Sequence, residues 1–152
     1  MKKFVKSFIV VCLFLGVLSG CSTSTSMSYT YDVATEDKIE VKLNTSEKHK
    51  LSSEVPFTIS KDDEIFTTGM FLTIEKYDEF IASYKEASNV ELYESSTKDN
   101  IEYSFYKVDG KVGIEYDYFI KIKDSNTAIV LGNLISKESA TEMFNLLSFT
   151  KK

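Results

Sequence analysis

The strongest constraint on the fold is a long alternation of apolar and polar residues over positions 101–122, with Asp109-Gly110 near its middle. Period-two alternation is typical of half-buried strands, and Asp-Gly between two such runs favours a two-residue type I′ turn. The sequence therefore predicts an antiparallel hairpin with Asp109-Gly110 at its tip. In this register Phe105 lies opposite Ile114, and both apolar rows share one face of the sheet.

The rest of the chain divides into further strands and two amphipathic helices. Residues 76–87 carry apolar side chains at i, i+3, i+4 and i+7, and a second stripe of this kind follows Ser136, which can cap a helix. Residues 128–135 are apolar on both faces, as in a central strand. Shorter alternating runs predict strands at 38–43, 55–59, 65–74 and 90–93. The order predicts an α+β fold, an antiparallel sheet of about six to seven strands with two helices packed on it.

The N-terminus has the pattern of a secretory signal peptide, in which a basic start precedes an apolar run at 8–18. This run is too short for a membrane span, which needs about 20 residues. It ends in Leu18-Ser19-Gly20-Cys21, which resembles the lipobox of bacterial lipoproteins. The resemblance implies cleavage between Gly20 and Cys21 and a lipid on Cys21. The alternative is an ordinary secreted protein with a chance cysteine at this point.

These features divide the chain into three parts. Residues 1–20 are predicted to be a signal peptide that is removed. Residues 21–36 are rich in Ser and Thr and are predicted to be a flexible tether. Residues 37–152 are predicted to form a single α+β domain. We expect the lipid to hold this domain at the extracytoplasmic face of the cell membrane.

The charge balance restricts the partners of the mature chain. Without residues 1–20 the chain keeps 15 lysines, no arginine and 23 acidic residues, a formal charge of −8. Such a surface is repelled by nucleic acid, and attachment to the membrane must therefore come from the lipid. With Cys12 removed and Cys21 lipidated, no thiol is left for a disulfide or a metal site. No cofactor is expected.

A second resemblance concerns the globular part. The segment Val55-Pro56-Phe57, the series of long strands and the closing segment 143–149 are similar to small bacterial lipoproteins with a PsbP-like fold. The resemblance implies an antiparallel sheet sandwiched by helices, and a binding or assembly role without a conserved catalytic set. It transfers no functional residue to this chain.

The sequence contains none of the common motifs for nucleotide binding, zinc-dependent hydrolysis or a serine nucleophile. His49 lies between Lys48 and Lys50 in a polar loop, and we expect it to be solvated rather than catalytic. We therefore predict that the protein is not an enzyme.

Three carboxylates occupy the outer face of the predicted hairpin. The predicted register places Glu102 opposite Asp117, with Glu115 on the same face. Directly opposed like charges are unfavourable unless a cation offsets them. We favour a solvated face, and the alternative is a weak site for Ca²⁺ or a cationic ligand.

Phe119 breaks the alternation and points to this same outer face. The predicted pairing with the next strand places it opposite Gly132 and beside Val130 and Leu134, which together form an apolar strip. We expect one of the two helices to cover the strip. The alternative is an exposed site at which Phe119, Val130 and Leu134 bind a partner.

The sequence thus predicts a membrane-anchored lipoprotein that acts as a non-catalytic binding or scaffold module. Its expected partners are the membrane, through the lipid, and a protein of the cell envelope. Two alternatives remain open. One is an accessory solute-binding lipoprotein, and the other is an enzyme with a dispersed acidic site made of Glu102, Glu115 and Asp117.

Overall fold

The computed structural model describes residues 25–45 and 47–152. The predicted signal peptide and the predicted lipidation site Cys21 lie outside these residues. The described part contains ten strands and two helices. In chain order they are β1 (Thr25–Asp32), β2 (Lys38–Thr45), β3 (Lys50–Leu51), β4 (Phe57–Lys61), β5 (Glu64–Thr73), α1 (Ile74–Glu86), β6 (Val90–Lys98), β7 (Ile101–Gly110), β8 (Gly113–Ile122), β9 (Thr127–Asn133), α2 (Lys137–Leu146) and β10 (Leu147–Lys151).

The strands form two antiparallel sheets, so the predicted α+β class is confirmed. The larger sheet has seven strands in the order β3-β4-β5-β9-β8-β7-β6, with β9 in the central position expected of its apolar sequence. The smaller sheet has three strands in the order β1-β2-β10. The sequence predicted one sheet, because β1 and β10 were not recognised as strands.

Strand β1 corrects the predicted tether of residues 21–36. Thr25 to Asp32 pair with β2 along their whole length, from Thr25 opposite Thr45 to Asp32 opposite Lys38. Within this Ser/Thr-rich stretch Met27, Tyr29 and Tyr31 alternate, and Tyr31 is buried in the main core. Ser and Thr side chains are well tolerated on the exposed face of an edge strand. The folded domain therefore begins at or before Thr25.

Strand β10 shortens the last helix, for which the apolar stripe Ala140, Met143, Phe144 and Leu147 predicts a course through Leu147. Helix α2 begins after Ser136, whose Oγ accepts a hydrogen bond from the Ser139 backbone N–H at 3.1 Å, and it ends at Leu146. From Leu147 the apolar residues alternate, and Leu147 and Phe149 are buried where β10 pairs with β2. Leu147 therefore fits both the apolar stripe of the helix and the alternation of the strand.

The two faces of the seven-stranded sheet are covered differently. One face packs on the three-stranded sheet and on α2, and this is the main core. Within it the rings of Phe105 and Tyr118 stack at 4.1 Å, and Tyr118 stacks on Phe144 of α2 at the same distance. The other face carries a smaller apolar cluster beneath α1, built around Phe119. The described part thus has three layers, and α1 is the outer layer on this second face.

Both predicted hairpin registers are corrected by an even number of residues, and between β8 and β9 Phe119 pairs with Val130 instead of Gly132. Gly110 pairs with Gly113, so the β7–β8 turn is Lys111-Val112 rather than Asp109-Gly110, and Phe105 pairs with Tyr118. Gly113 adopts φ +138°, a conformation that favours glycine. The observed turn adds pairs to the hairpin and stacks two aromatic rings in the core. An even shift leaves every side chain on its predicted face.

Candidate functional site

Helix α1 covers Phe119, the residue that breaks the alternation of β8. The helix begins after Thr73, whose Oγ1 accepts from the Lys76 backbone N–H at 3.2 Å. The Phe119 side chain is only 1% exposed. Its ring packs edge-on against the rings of Tyr77 and Tyr84, with centroid distances of 6.0 Å and 5.0 Å. Leu134 lies beyond the end of β9 and is 64% exposed. The predicted strip is therefore divided, and Phe119 is not accessible to a protein partner.

The three candidate carboxylates are not brought together as predicted. Glu102 pairs with Lys121, whereas Asp117 pairs with Tyr106 further along the hairpin. Glu115 and Asp117 remain neighbours, because they are two residues apart on one face of β8. Within the described residues, no group of three His, Cys, Asp or Glu side chains could hold a metal ion. Glu102 is therefore removed from the candidate site, and Glu115 and Asp117 remain in it.

A pocket of about 230 Å³ lies between the side of α1 and the sheet, at the edge of the area that α1 covers. Its apolar walls come from both the sheet and α1, and two carboxyl groups enter it from β8. We refer to this site as the acidic groove. Its principal residues are Met70, Phe80, Glu115, Asp117, Phe119 and Val130.

Gly132 gives the two carboxyl groups their space. It pairs with Asp117 across β8 and β9, on the face that carries α1. A Cβ atom at this position would lie 2.7 Å from Glu115 Oε1 and 3.5 Å from Asp117 Oδ1. The two carboxyl groups therefore converge on the bare backbone at Gly132. Any larger residue at position 132 would displace them.

Asp117 is the most perturbed carboxyl group of the groove. Its side chain is 3% exposed, and Oδ2 accepts a hydrogen bond from the Tyr84 hydroxyl at 2.7 Å. Burial raises the pKa of Asp117 to about 7, the Tyr84 hydrogen bond acts in the opposite direction, and the charge of Glu115 raises it further. Burial, followed by the charge of Asp117, also raises the pKa of Tyr84 above its usual range. Asp117 therefore exchanges its proton near neutral pH.

A larger hollow of about 400 Å³ lies at the opposite end of the sheet, between the β6–β7 and β8–β9 turns. Its charged side chains include Glu102, Lys121, Lys123 and Asp124, so both signs are present. Lys121 is already paired with Asp78 at 2.9 Å. This hollow has no converging buried group comparable to Asp117. The acidic groove is therefore the better candidate for specific binding.

His49 differs from its predicted solvated state. It is only 5% exposed, Nδ1 lies 3.2 Å from Thr45 Oγ1, and its ring meets the ring of Phe66 edge-on at 5.5 Å. The prediction was wrong because β3 returns to pair with β4 and draws the preceding loop onto the domain. His49 thus has a packing role at this edge.

The sequence did not identify Asp37, the second buried aspartate with a strongly shifted pKa. Its Oδ2 accepts from Ser125 Oγ at 2.7 Å, from the Asn126 backbone N–H at 2.9 Å and from Thr127 Oγ1 at 3.2 Å. Its Oδ1 pairs with Lys151 Nζ at 2.7 Å. The Lys151 ammonium is the main reason why the pKa of Asp37 is lowered to about 2. We call this arrangement the Asp37 corner, and it joins the β8–β9 turn to the three-stranded sheet.

No known protein family matches this sequence, and no curated protein is significantly similar to it. Neither helix of the described part is long and apolar enough to cross a membrane. Function is therefore inferred from the N-terminal sequence pattern and from the acidic groove.

Proposed function

We propose that the protein is a lipid-anchored extracytoplasmic lipoprotein whose domain is a non-catalytic binding module close to the membrane. The observation that carries this proposal is the Leu18-Ser19-Gly20-Cys21 sequence at the end of a basic and then apolar N-terminus. In this arrangement Cys21 carries the lipid and becomes the first residue of the mature chain. The acidic surface itself contributes no attraction to anionic headgroups.

The position of β1 supports a short distance between the domain and the bilayer. The strand begins at Thr25, four residues beyond Cys21. Four fully extended residues span at most about 14 Å. The lipid would thus hold the end of the small sheet, where Thr25 pairs with Thr45, directly above the membrane. A binding module at this height reaches membrane-adjacent molecules rather than distant ones.

The acidic groove supports small-ligand binding as a specific form of this function. It combines apolar walls with converging polar groups, which is the usual composition of ligand pockets. The separation of Glu102 from Glu115 and Asp117 removes support for an enzyme that uses all three carboxylates. The scaffold alternative remains, with a protein of the cell envelope as the partner.

The anchor is tested by replacing Cys21→Ser and growing cells with a fatty-acid probe. We expect the variant to lose the label and to leave the membrane fraction, because the thioether cannot form on serine. Cys12→Ser is the matched control, since it removes the other cysteine of the chain and should leave labelling unchanged. A label that persists on the Cys21→Ser chain would contradict the proposal.

The scaffold alternative is tested separately by chemical crosslinking in intact membranes, followed by isolation of the lipoprotein. A scaffold should yield one reproducible crosslinked protein under native expression. A small-ligand binding module should yield none, and its ligand should instead raise the unfolding midpoint of the isolated protein.

A further inference from the structure

The carboxyl groups of the acidic groove lack a cationic partner. Lysines elsewhere in the described part form seven ion pairs, and none of these includes Glu115 or Asp117. Lys121 is the next lysine along β8, and it pairs with Asp78 of α1. The groove therefore has negative charge that the described residues do not neutralise.

Asp117 directs one carboxyl oxygen, Oδ1, into this space. More than nine-tenths of the side chain is buried, and Oδ2 is occupied by the Tyr84 hydroxyl. Oδ1 makes no hydrogen bond to any described residue, and it faces the open space above Gly132. Since no buried side-chain oxygen of the described residues lacks a hydrogen-bond partner, Oδ1 is open to the groove, where a donor on a ligand can reach it.

The walls around these oxygens are apolar and aromatic. Met70 and Phe80 are 45% and 43% exposed at the rim, and Phe119 and Val130 lie deeper. The Phe80 ring is 6.0 Å from the Phe119 ring, so an aromatic surface borders the carboxyl groups. Aromatic faces attract cations, and a carboxylate beside them selects a positive charge. A volume of about 230 Å³ is below that of drug-sized pockets, which favours a ligand of few heavy atoms.

A divalent metal ion fits this environment poorly. Calcium takes six to eight oxygen ligands, whereas the groove offers two carboxyl groups among methionine, valine and phenylalanine side chains. An ammonium group needs fewer acceptors, and an attached apolar body would cover the exposed rim.

We propose that the acidic groove binds a small organic cation, a primary or quaternary ammonium on an apolar body. The ammonium group donates to, or lies against, Asp117 Oδ1 and Glu115, and the apolar body packs on Phe80 and Met70. This inference rests on the proposed binding function and is independent of the lipid anchor.

The test is calorimetric titration of the full mature chain in nonionic detergent at pH 8. Phenethylammonium and benzyltrimethylammonium are the cationic probes, and 2-phenylethanol is the neutral counterpart. We expect saturable binding of at least one cation, and binding of the alcohol that is weaker by roughly tenfold or more. Affinity should also fall from pH 8 to pH 6 as Asp117 becomes protonated beside Tyr84 and Glu115.

Three variants locate the binding. Asp117→Asn should weaken cation binding by roughly tenfold or more, and circular dichroism should show that the variant is folded. Phe80→Ala should weaken it by about threefold through lost contact with the ring. Glu102→Gln is the matched control, because it removes a carboxylate from the same hairpin face outside the groove, and it should leave the affinity unchanged.

Several results would overturn the inference. These are equal affinity for the alcohol, tighter binding of calcium chloride in competition with the cations, undiminished binding by Asp117→Asn, or no saturable binding of either cation. The proposed function fails in different ways, through fatty-acid label that persists on the Cys21→Ser chain or through the absence of both ligand and partner. A crosslinked partner without cation binding would retain the scaffold role and reject only this inference.

Discussion

Asp37 and Asp117 are both almost fully buried, at 8% and 3% exposure, and their pKa values are shifted in opposite directions. Asp37 accepts three hydrogen bonds and an ion pair with Lys151, and its pKa lies near 2. Asp117 accepts one hydrogen bond from Tyr84, lies near Glu115, and has a pKa near 7. Burial raises the pKa of both groups; it is the largest influence on Asp117, whereas at Asp37 the contact with Lys151 outweighs it.

The difference separates a structural carboxylate from a candidate functional one. At the Asp37 corner the ionised aspartate joins the β8–β9 turn to β10, and its charge is compensated within the described chain. In the acidic groove the ionised form of Asp117 is uncompensated and destabilises the fold. Groups that reduce stability in a pocket are candidates for binding or chemistry.

The largest expected effect tests the packing of α1 on the sheet beside the acidic groove. Phe119→Ala should reduce the free energy of unfolding by roughly 3 to 5 kcal/mol, because it leaves a cavity beneath α1. Loosening α1 should also admit water to Asp117 and lower its pKa, without changing Asp37 at the other end of the sheet. Chemical denaturation and carboxyl titration by NMR measure the two effects.

Leu92→Ala is the matched control for this prediction, because Leu92 lies on edge strand β6 and is 54% exposed. Its cost should be below about 1 kcal/mol. An unchanged midpoint for Phe119→Ala would mean that α1 is not packed on the sheet, and the groove would lose one of its walls.

Much of this arrangement could be predicted from local patterns. The alternation of β7 and β8 predicted which side chains face the core, and the i, i+4, i+7 spacing of Tyr77, Ile81 and Tyr84 predicted α1. Both hairpin registers were wrong, yet the faces were right because the errors were even. The sequence therefore predicted the face of the sheet on which Phe119 lies, but it did not predict the residue of β9 that pairs with Phe119.

The site itself could not be predicted, because non-local contacts set the registers. A two-residue turn at Ser125-Asn126 would place Phe119 opposite Gly132. The turn is instead longer and is held by Asp37, which is 88 residues from Ser125 in the chain. The resulting pairing of Asp117 with Gly132 creates the groove. The buried state of His49 has a comparable origin, in the return of β3 to β4.

A second prediction uses the raised pKa of Asp117. The folded-state value of about 7 exceeds the unfolded value near 3.9, so between these values the folded chain holds more protons and stability falls as pH rises. Asp117→Asn should remove this loss. Relative to the wild type, the variant should be more stable by on the order of 3 kcal/mol at pH 8 and similar at pH 4.

Urea denaturation of both chains across this pH range is the measurement. Glu102→Gln is the control, since it removes a carboxylate from the same hairpin outside the groove, and it should not reproduce the gain in stability at pH 8. If Asp117→Asn is less stable than the wild type at pH 8, then the ionised carboxylate is compensated and the contrast with Asp37 is wrong.

The smallest expected effect has the opposite sign and belongs to the Asp37 corner. The folded-state pKa of about 2 lies below the unfolded value near 3.9, so the stability that Asp37 contributes is present above pH 4 and is lost as pH falls toward 2. Asp37→Asn should therefore cost about 2 kcal/mol at pH 7, and this cost should shrink toward pH 2. Asp99→Asn, at an exposed turn position, should cost little at pH 7. The stability difference between wild type and variant should thus rise with pH for Asp37 and fall with pH for Asp117. If the two profiles were parallel, burial alone would set the pKa values of both carboxyl groups. The hydrogen-bond and ion-pair partners would then not distinguish the Asp37 corner from the acidic groove.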